Sequence, residues 1–151
     1  MPQQLLILVA VLAGATAAWF LLQAHAGRVR TVRDVGPRAG AAAEALLALV
    51  PPADVPTFVL VSSATCSTCP QARRVLESVT AAEPVGLVEL DADEHPDVVR
   101  SLGILRTPTV LLLDVDRAVR TRTSGPLSAG QARAALAGLA TLPGSPDPTR
   151  I

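Results

Sequence analysis

Thr57-Phe58-Val59-Leu60-Val61-Ser62-Ser63-Ala64-Thr65-Cys66-Ser67-Thr68-Cys69 decides how this chain is read. Pro56 opens the run, and the continuous apolar stretch behind it has the length and β-branched content of a buried strand. Downstream the period changes. From Cys66 to Ala82 the pattern is helical, with Ala72, Val75, Leu76 and Val79 on one face and Arg73, Arg74 and Glu77 elsewhere. The only two cysteines of the chain therefore stand where a buried strand gives way to a helix.

That position bears on their chemistry. The first turn of a helix has unpaired backbone N–H groups and the positive end of the dipole, and both favour a negative charge. A thiolate there is stabilised, and more of it is nucleophilic at neutral pH. Cys66 is first and is expected to attack. Cys69, one helical turn in, is close enough to resolve the mixed disulfide that results. Two cysteines are too few for a dispersed disulfide scaffold. With only His25 and His95 besides, both remote in sequence, they do not complete a four-ligand structural zinc site. A redox pair, half of a shared metal site and an incidental pair remain as readings.

Outward from this junction, strands and helices alternate. Arg28 to Val35 reads as a short strand, and Ala39 to Leu49 as a helix stopped by Pro51 and Pro52. Val85 to Leu90 is another strand. Pro96 suits a helix first turn, and Gly103 suits its C-terminal cap. Thr109 to Leu113 is a continuous apolar strand. Asp114-Val115-Asp116-Arg117 turns it into Ala118 to Ser124, completing a hairpin. Ser128 with Gln131 forms a capping box for a last helix ending near Thr141. This order predicts an α/β fold with a mixed central sheet and helices on both faces.

From Phe58 to Leu139 the chain resembles thioredoxin. The likeness rests on four blocks in order: the strand-to-Cys-x-x-Cys junction, L-D-A-D-E-H-P at Leu90 to Pro96, L-G-I-L-R-T-P-T at Leu102 to Thr109, and G-P-L-S at Gly125 to Ser128. The resemblance implies the thioredoxin fold, a Cys66–Cys69 disulfide in the oxidised state, and a cis Pro108 facing the cysteines. It implies a substrate surface made by Thr65, Thr107, Pro108 and Gly125, with the Thr107 backbone free to pair with an extended chain. No cofactor beyond the dithiol/disulfide couple is implied. Three positions depart from the family pattern. Thr65 replaces the usual Trp before the first Cys, and Ser67-Thr68 replaces the usual Gly-Pro. Leu60 stands where the family carries a buried acid that helps deprotonate the resolving thiol. Glu89, expected on the adjacent central strand where the relatives typically have Lys, is the candidate replacement as proton acceptor near Cys69.

The N-terminus adds a second theme. Residues 1–27 contain no charged side chain, and Leu5 to Leu22 is almost wholly apolar, near the length that crosses a bilayer core. Trp19 suits an interface, and Arg28, Arg30, Arg33 and Arg38 follow. A cleaved signal peptide normally begins with a basic region, which is missing here, although Ala24-His25-Ala26 fits a cleavage pattern. The expected division is a transmembrane anchor over residues 1–26, a thioredoxin-like domain over 27–142, and a disordered Pro- and Gly-rich tail over 143–151. The arginines after the span favour a single-pass protein of the cell membrane whose body faces the cytoplasm. An extracytoplasmic body is the alternative.

Thirteen basic and thirteen acidic side chains cancel, so no global field draws the chain to nucleic acid. The expected activity is thiol–disulfide exchange, most simply reduction of protein or small-molecule disulfides, with an external electron donor. Two rivals stand beside it. One is a thiolate module handling Cu or Zn, for which no extra His, Met or Cys lies near the pair. The other is a non-catalytic adaptor that binds a membrane partner through Ala10, Ala13, Gly14 and Ala17.

Overall fold

Thr57–Ser62 (β2) is buried at every position, and so is Thr109–Leu113 (β4). Strands buried on both faces must lie inside a covered sheet, and these two are its centre. The computed structural model describes residues 11–18, 30–31 and 37–140. Its sheet also contains Arg30–Thr31 (β1), Gly86–Asp91 (β3) and Val119–Ser124 (β5), in the order β1-β5-β4-β2-β3. β2 and β3 run parallel, while the β2–β4, β4–β5 and β1–β5 pairs are antiparallel. The sheet is mixed, as the closing hairpin predicts.

Alternation along β2 sorts the core into two layers. Phe58 and Leu60 point to one side, where they meet Ala72, Leu76 and Val79 of helix Cys69–Thr80 (α2) and Ala132, Ala135 and Leu139 of helix Ala129–Ala140 (α4). Val59 and Val61 point to the other side, against Leu46 and Val50 at the end of helix Pro37–Leu49 (α1). Val98 and Val99 of helix Pro96–Ser101 (α3) pack against that same layer. Phe58 is the one aromatic side chain in these clusters. Each layer is otherwise aliphatic, so apolar burial over many Leu and Val side chains holds the sheet between its helices.

Several ends follow local rules. Gly103 takes φ +60°, the left-handed conformation that ends α3. Gln131 Oε1 accepts from the Ser128 N–H at 2.9 Å, and the Ser128 Oγ accepts from the Gln131 N–H at 3.2 Å, closing the expected capping box at α4. In the β4–β5 turn, Asp114 Oδ1 accepts from the Ala118 N–H at 2.8 Å, and Arg117 adopts φ +64°. The Arg117 guanidinium then donates to the Leu47 carbonyl at 2.7 Å and to the Val50 carbonyl, placing a cation on the carbonyl end of α1.

Two expectations are corrected. The helix predicted from Cys66 begins only at Cys69, because Pro70 in its first turn pre-sets the helical backbone while residues 66–68 form a turn. Among the described residues β3, expected in the centre, stands at the edge of the sheet, since β2 pairs with it on one side and no described strand pairs with the other. Of the strand expected over 28–35, only Arg30–Thr31 falls among the described residues. The anchor expected over residues 5–22 lies mostly outside them. Residues 11–18 are helical and exposed, and among the described residues no helix is long and apolar enough to cross a membrane. The tail expected over 143–151 also lies outside the described residues.

Candidate active site

β2 leaves the core at Ser62, and three residues carry the chain from there to Cys66. The Cys66 N–H donates to the Ser63 carbonyl at 3.1 Å, and the Cys69 N–H donates to the Cys66 carbonyl at 3.3 Å. These tight turns bring the two sulfurs together, and Cys66 and Cys69 form a disulfide. The described chain is thus the oxidised form. Cys66 is partly exposed, whereas Cys69 is buried. Of the two, Cys66 is the cysteine that solvent reaches. The Thr68 Oγ1 lies 3.8 Å from the Cys66 Sγ, a weak hydroxyl contact. Thr65 is exposed on the approach to Cys66.

A second loop meets the first. The Thr107–Pro108 bond is cis, and Pro108 is buried. The Thr107 Oγ1 and Ser63 Oγ are 3.0 Å apart, which ties the proline loop to the cysteine loop across 44 residues of chain. The Gly125 N–H donates to the Pro108 carbonyl at 2.8 Å. Gly125 has φ +95°, which a residue with a Cβ rarely adopts. The Thr109 Oγ1 donates to the Arg106 carbonyl at 2.8 Å and lies 3.1 Å from the Ser124 Oγ. Thr107, Pro108 and Gly125 therefore come together at the cysteine loop.

Glu89 lies directly across from Leu60 in the β2–β3 register, on the sheet face covered by α2. Its Oε1 accepts from the Arg73 Nη2 at 2.5 Å, which no pattern along the sequence announces. The hydrogen bond to Glu89, and then its charge, push the Arg73 guanidinium further up from its ordinary range. The carboxylate next to the position of the family's buried acid is thus paired with a helix cation.

Three further residues shape the site. Asp93 Oδ2 accepts from the Ala64 N–H at 3.1 Å, steadying the loop before Cys66 from the far end of β3. Ser63 is the partner of Thr107 already described. The third is Arg122 on β5, whose Nη1 donates to the Leu102 carbonyl and whose Nη2 donates to the Gly103 carbonyl, each at 2.7 Å. Burial lowers its pKa from the ordinary guanidinium value. Of the three, only Asp93 carries a local signal, an Asx turn in which its own N–H donates to the Asp91 Oδ1 at 2.8 Å. Among the described residues, no group of three or more His, Cys, Asp and Glu side chains is arranged to hold a metal ion.

No protein-family profile matches the chain, and no curated protein matches it in sequence. Solved structures do. Desulfothioredoxin from Desulfovibrio vulgaris Hildenborough, in its reduced form, is 25% identical at a TM-score of 0.51, over 56% of this chain and 81% of that one. Thioredoxin-2 of the malaria parasite, a component of that organism's protein secretion machinery, is 15% identical at a TM-score of 0.51, over 56% and 82%. A thioredoxin mutant from Halobacterium salinarum is 15% identical at a TM-score of 0.50, over 54% and 71%. The chain has the thioredoxin fold, and these neighbours are thioredoxins.

Proposed function

We propose that this chain is a thiol–disulfide oxidoreductase that reduces disulfides of polypeptides. One observation carries the reading: a Cys66–Cys69 disulfide with one sulfur accessible and the other buried, on a thioredoxin fold, beside a loop ending in Pro108. In the reduced form, the Cys66 thiolate attacks one sulfur of the substrate disulfide. A Cys66–substrate disulfide forms, and the other substrate sulfur leaves as a thiolate that takes up a proton. The Cys69 thiol then loses its proton and attacks the Cys66 Sγ. The Cys66–Cys69 disulfide forms and the second substrate thiolate leaves. Two electrons pass from the dithiol to the substrate, and an external dithiol reductant must return them.

In this reading Thr65, Thr107, Pro108 and Gly125 bind the substrate chain, and Glu89 accepts the proton of Cys69, directly or through one water. The fold is membrane-tethered through residues 5–22. This is supported by the uncharged apolar leader and the arginines that follow it, which favour a cytoplasmic body. A cytoplasmic position suits a reductase.

The roles of the two cysteines are tested by trapping. Cys69→Ser, incubated with a peptide disulfide, accumulates a mixed disulfide through Cys66, because attack survives and resolution does not. Cys66→Ser accumulates none. Mass spectrometry of the adducts reads the result. Adducts on the Cys66 variant alone reverse the assignment, and adducts on neither remove the proposed activity.

A further inference from the structure

Single apolar side chains on a surface are ordinary, but Leu105 is an extreme case. Its exposure is 93%, against 36% for Val55 and 38% for Val115, the other large exposed hydrophobics among the described residues from 37 to 140. It shields nothing in the free protein, so folding supplies no reason for an apolar group there.

The backbone around it is fixed. Ile104 is buried beside the α1 and α3 layer, and its N–H donates to the Val99 carbonyl at 2.9 Å. Arg122 grips the carbonyls of Leu102 and Gly103, and Thr109 holds the Arg106 carbonyl. Leu105 is therefore displayed on a loop secured before and behind it, and covering it orders one side chain rather than a segment.

Its place gives it a partner. Leu105 precedes Thr107 by two residues, a reach of about 7 Å at most. Thr107 touches Ser63, whose carbonyl accepts from the Cys66 N–H. A substrate chain joined to the Cys66 Sγ and passing along Thr107 arrives over Leu105 within about two or three residues of its own cysteine, at the usual strand rise. On the cysteine side, Thr65, Ser67 and Thr68 offer hydroxyls and no large apolar surface. Leu105 is the large aliphatic side chain exposed on the loop that leads to Thr107.

Resting on the oxidoreductase reading, we propose that Leu105 is a specificity-determining residue. It selects polypeptide disulfides that carry an aliphatic or aromatic side chain two or three residues from the reactive cysteine. Small disulfides, with no chain to lay over it, are indifferent to it.

The test uses the full chain, reduced beforehand with dithiothreitol and freed of it, in single-turnover exchange. Three substrates are compared: a peptide disulfide with Leu near its cysteine, the same peptide with Ser there, and 2-hydroxyethyl disulfide. Leu105→Ser is expected to lower the second-order rate constant on the leucine peptide about tenfold, equivalent to about 1.4 kcal/mol of lost contact. The other two substrates keep their rates, and Leu105→Met restores most of the loss. Equal losses on all three substrates show a disturbed loop and overturn the proposal, as does no loss on any. Failure of the wild-type chain to reduce even 2-hydroxyethyl disulfide overturns the oxidoreductase reading, and this inference falls with it.

Discussion

Replacing Arg122 with Met removes the two bonds that hold the end of α3 while keeping most of the side chain's apolar stem. Both bonds are 2.7 Å and both join a cation to a carbonyl, but the one to Leu102 is partly buried and the one to Gly103 is exposed. Hydrogen bonds to charged groups are worth about 1.5–3 kcal/mol each. Counting the sheltered bond in full and the exposed one at about half, then subtracting about 1 kcal/mol for desolvating the guanidinium, leaves a loss of roughly 1–3.5 kcal/mol. α3 is six residues long and does not stabilise itself, so little compensates. In a domain of this size the melting temperature should fall by roughly 10 °C. Arg122→Lys should recover about half of the loss, since an ammonium serves one carbonyl well but not both. Urea unfolding followed by circular dichroism measures the energies. Leu46→Ala, a core truncation under α1 expected to cost about 2–5 kcal/mol, is the control for stability alone. At a temperature where both variants are folded, Arg122→Met should slow disulfide reduction and Leu46→Ala should not, because Arg122, unlike Leu46, bonds the backbone that leads to Thr107 and Pro108. An Arg122→Met protein within about 0.5 kcal/mol of wild type would refute the reasoning.

Two smaller predictions accompany it. Glu89→Gln should slow resolution of the mixed disulfide by about tenfold or more at neutral pH, with the defect shrinking as pH rises and Cys69 ionises unaided; stopped-flow rates equal to wild type from about pH 6 to 9 would leave Glu89 only its ion pair. Gly103→Ala, at φ +60° with nothing crowding the new Cβ, should lose only the backbone term of about 1 kcal/mol, read from urea midpoints.

Much of this architecture was legible because it is local. The Thr57–Ser62 run, the apolar Thr109–Leu113 strand, the Ser128–Gln131 box and Gly103 each declare themselves within a few residues. The Thr107–Pro108 cis bond was legible only through resemblance. What stayed hidden is contact across distance. Strand order depends on which side of β2 each later strand takes, so β3 read as central although it is outermost among the described strands. The start of α2 turned on Pro70, one residue beyond the motif that drew attention. Arg117, Arg122 and Ser63 looked like ordinary polar residues, because their partners lie 70, 20 and 44 positions away. Glu89 was legible as the carboxylate of the strand beside Leu60, and its pairing with Arg73 follows only from how α2 lies over that strand.

The arginines of the β4–β5 hairpin bear on the order in which the chain is made. A ribosome that has released residues up to Leu113 has delivered all but the last of the sheet's five strands and three of its helices. It has not yet delivered the cations that close α1 and α3, since Arg117 and Arg122 come next. Until they emerge, the carbonyls of Leu47, Leu102 and Gly103 lack these guanidinium donors. The nascent domain is a half-finished layer with two loose helix ends, the kind of intermediate that chaperones and proteases recognise. The hairpin delivers both cations, and α4, which covers Phe58 and Leu60, follows it, so the two faces of the sheet close in turn.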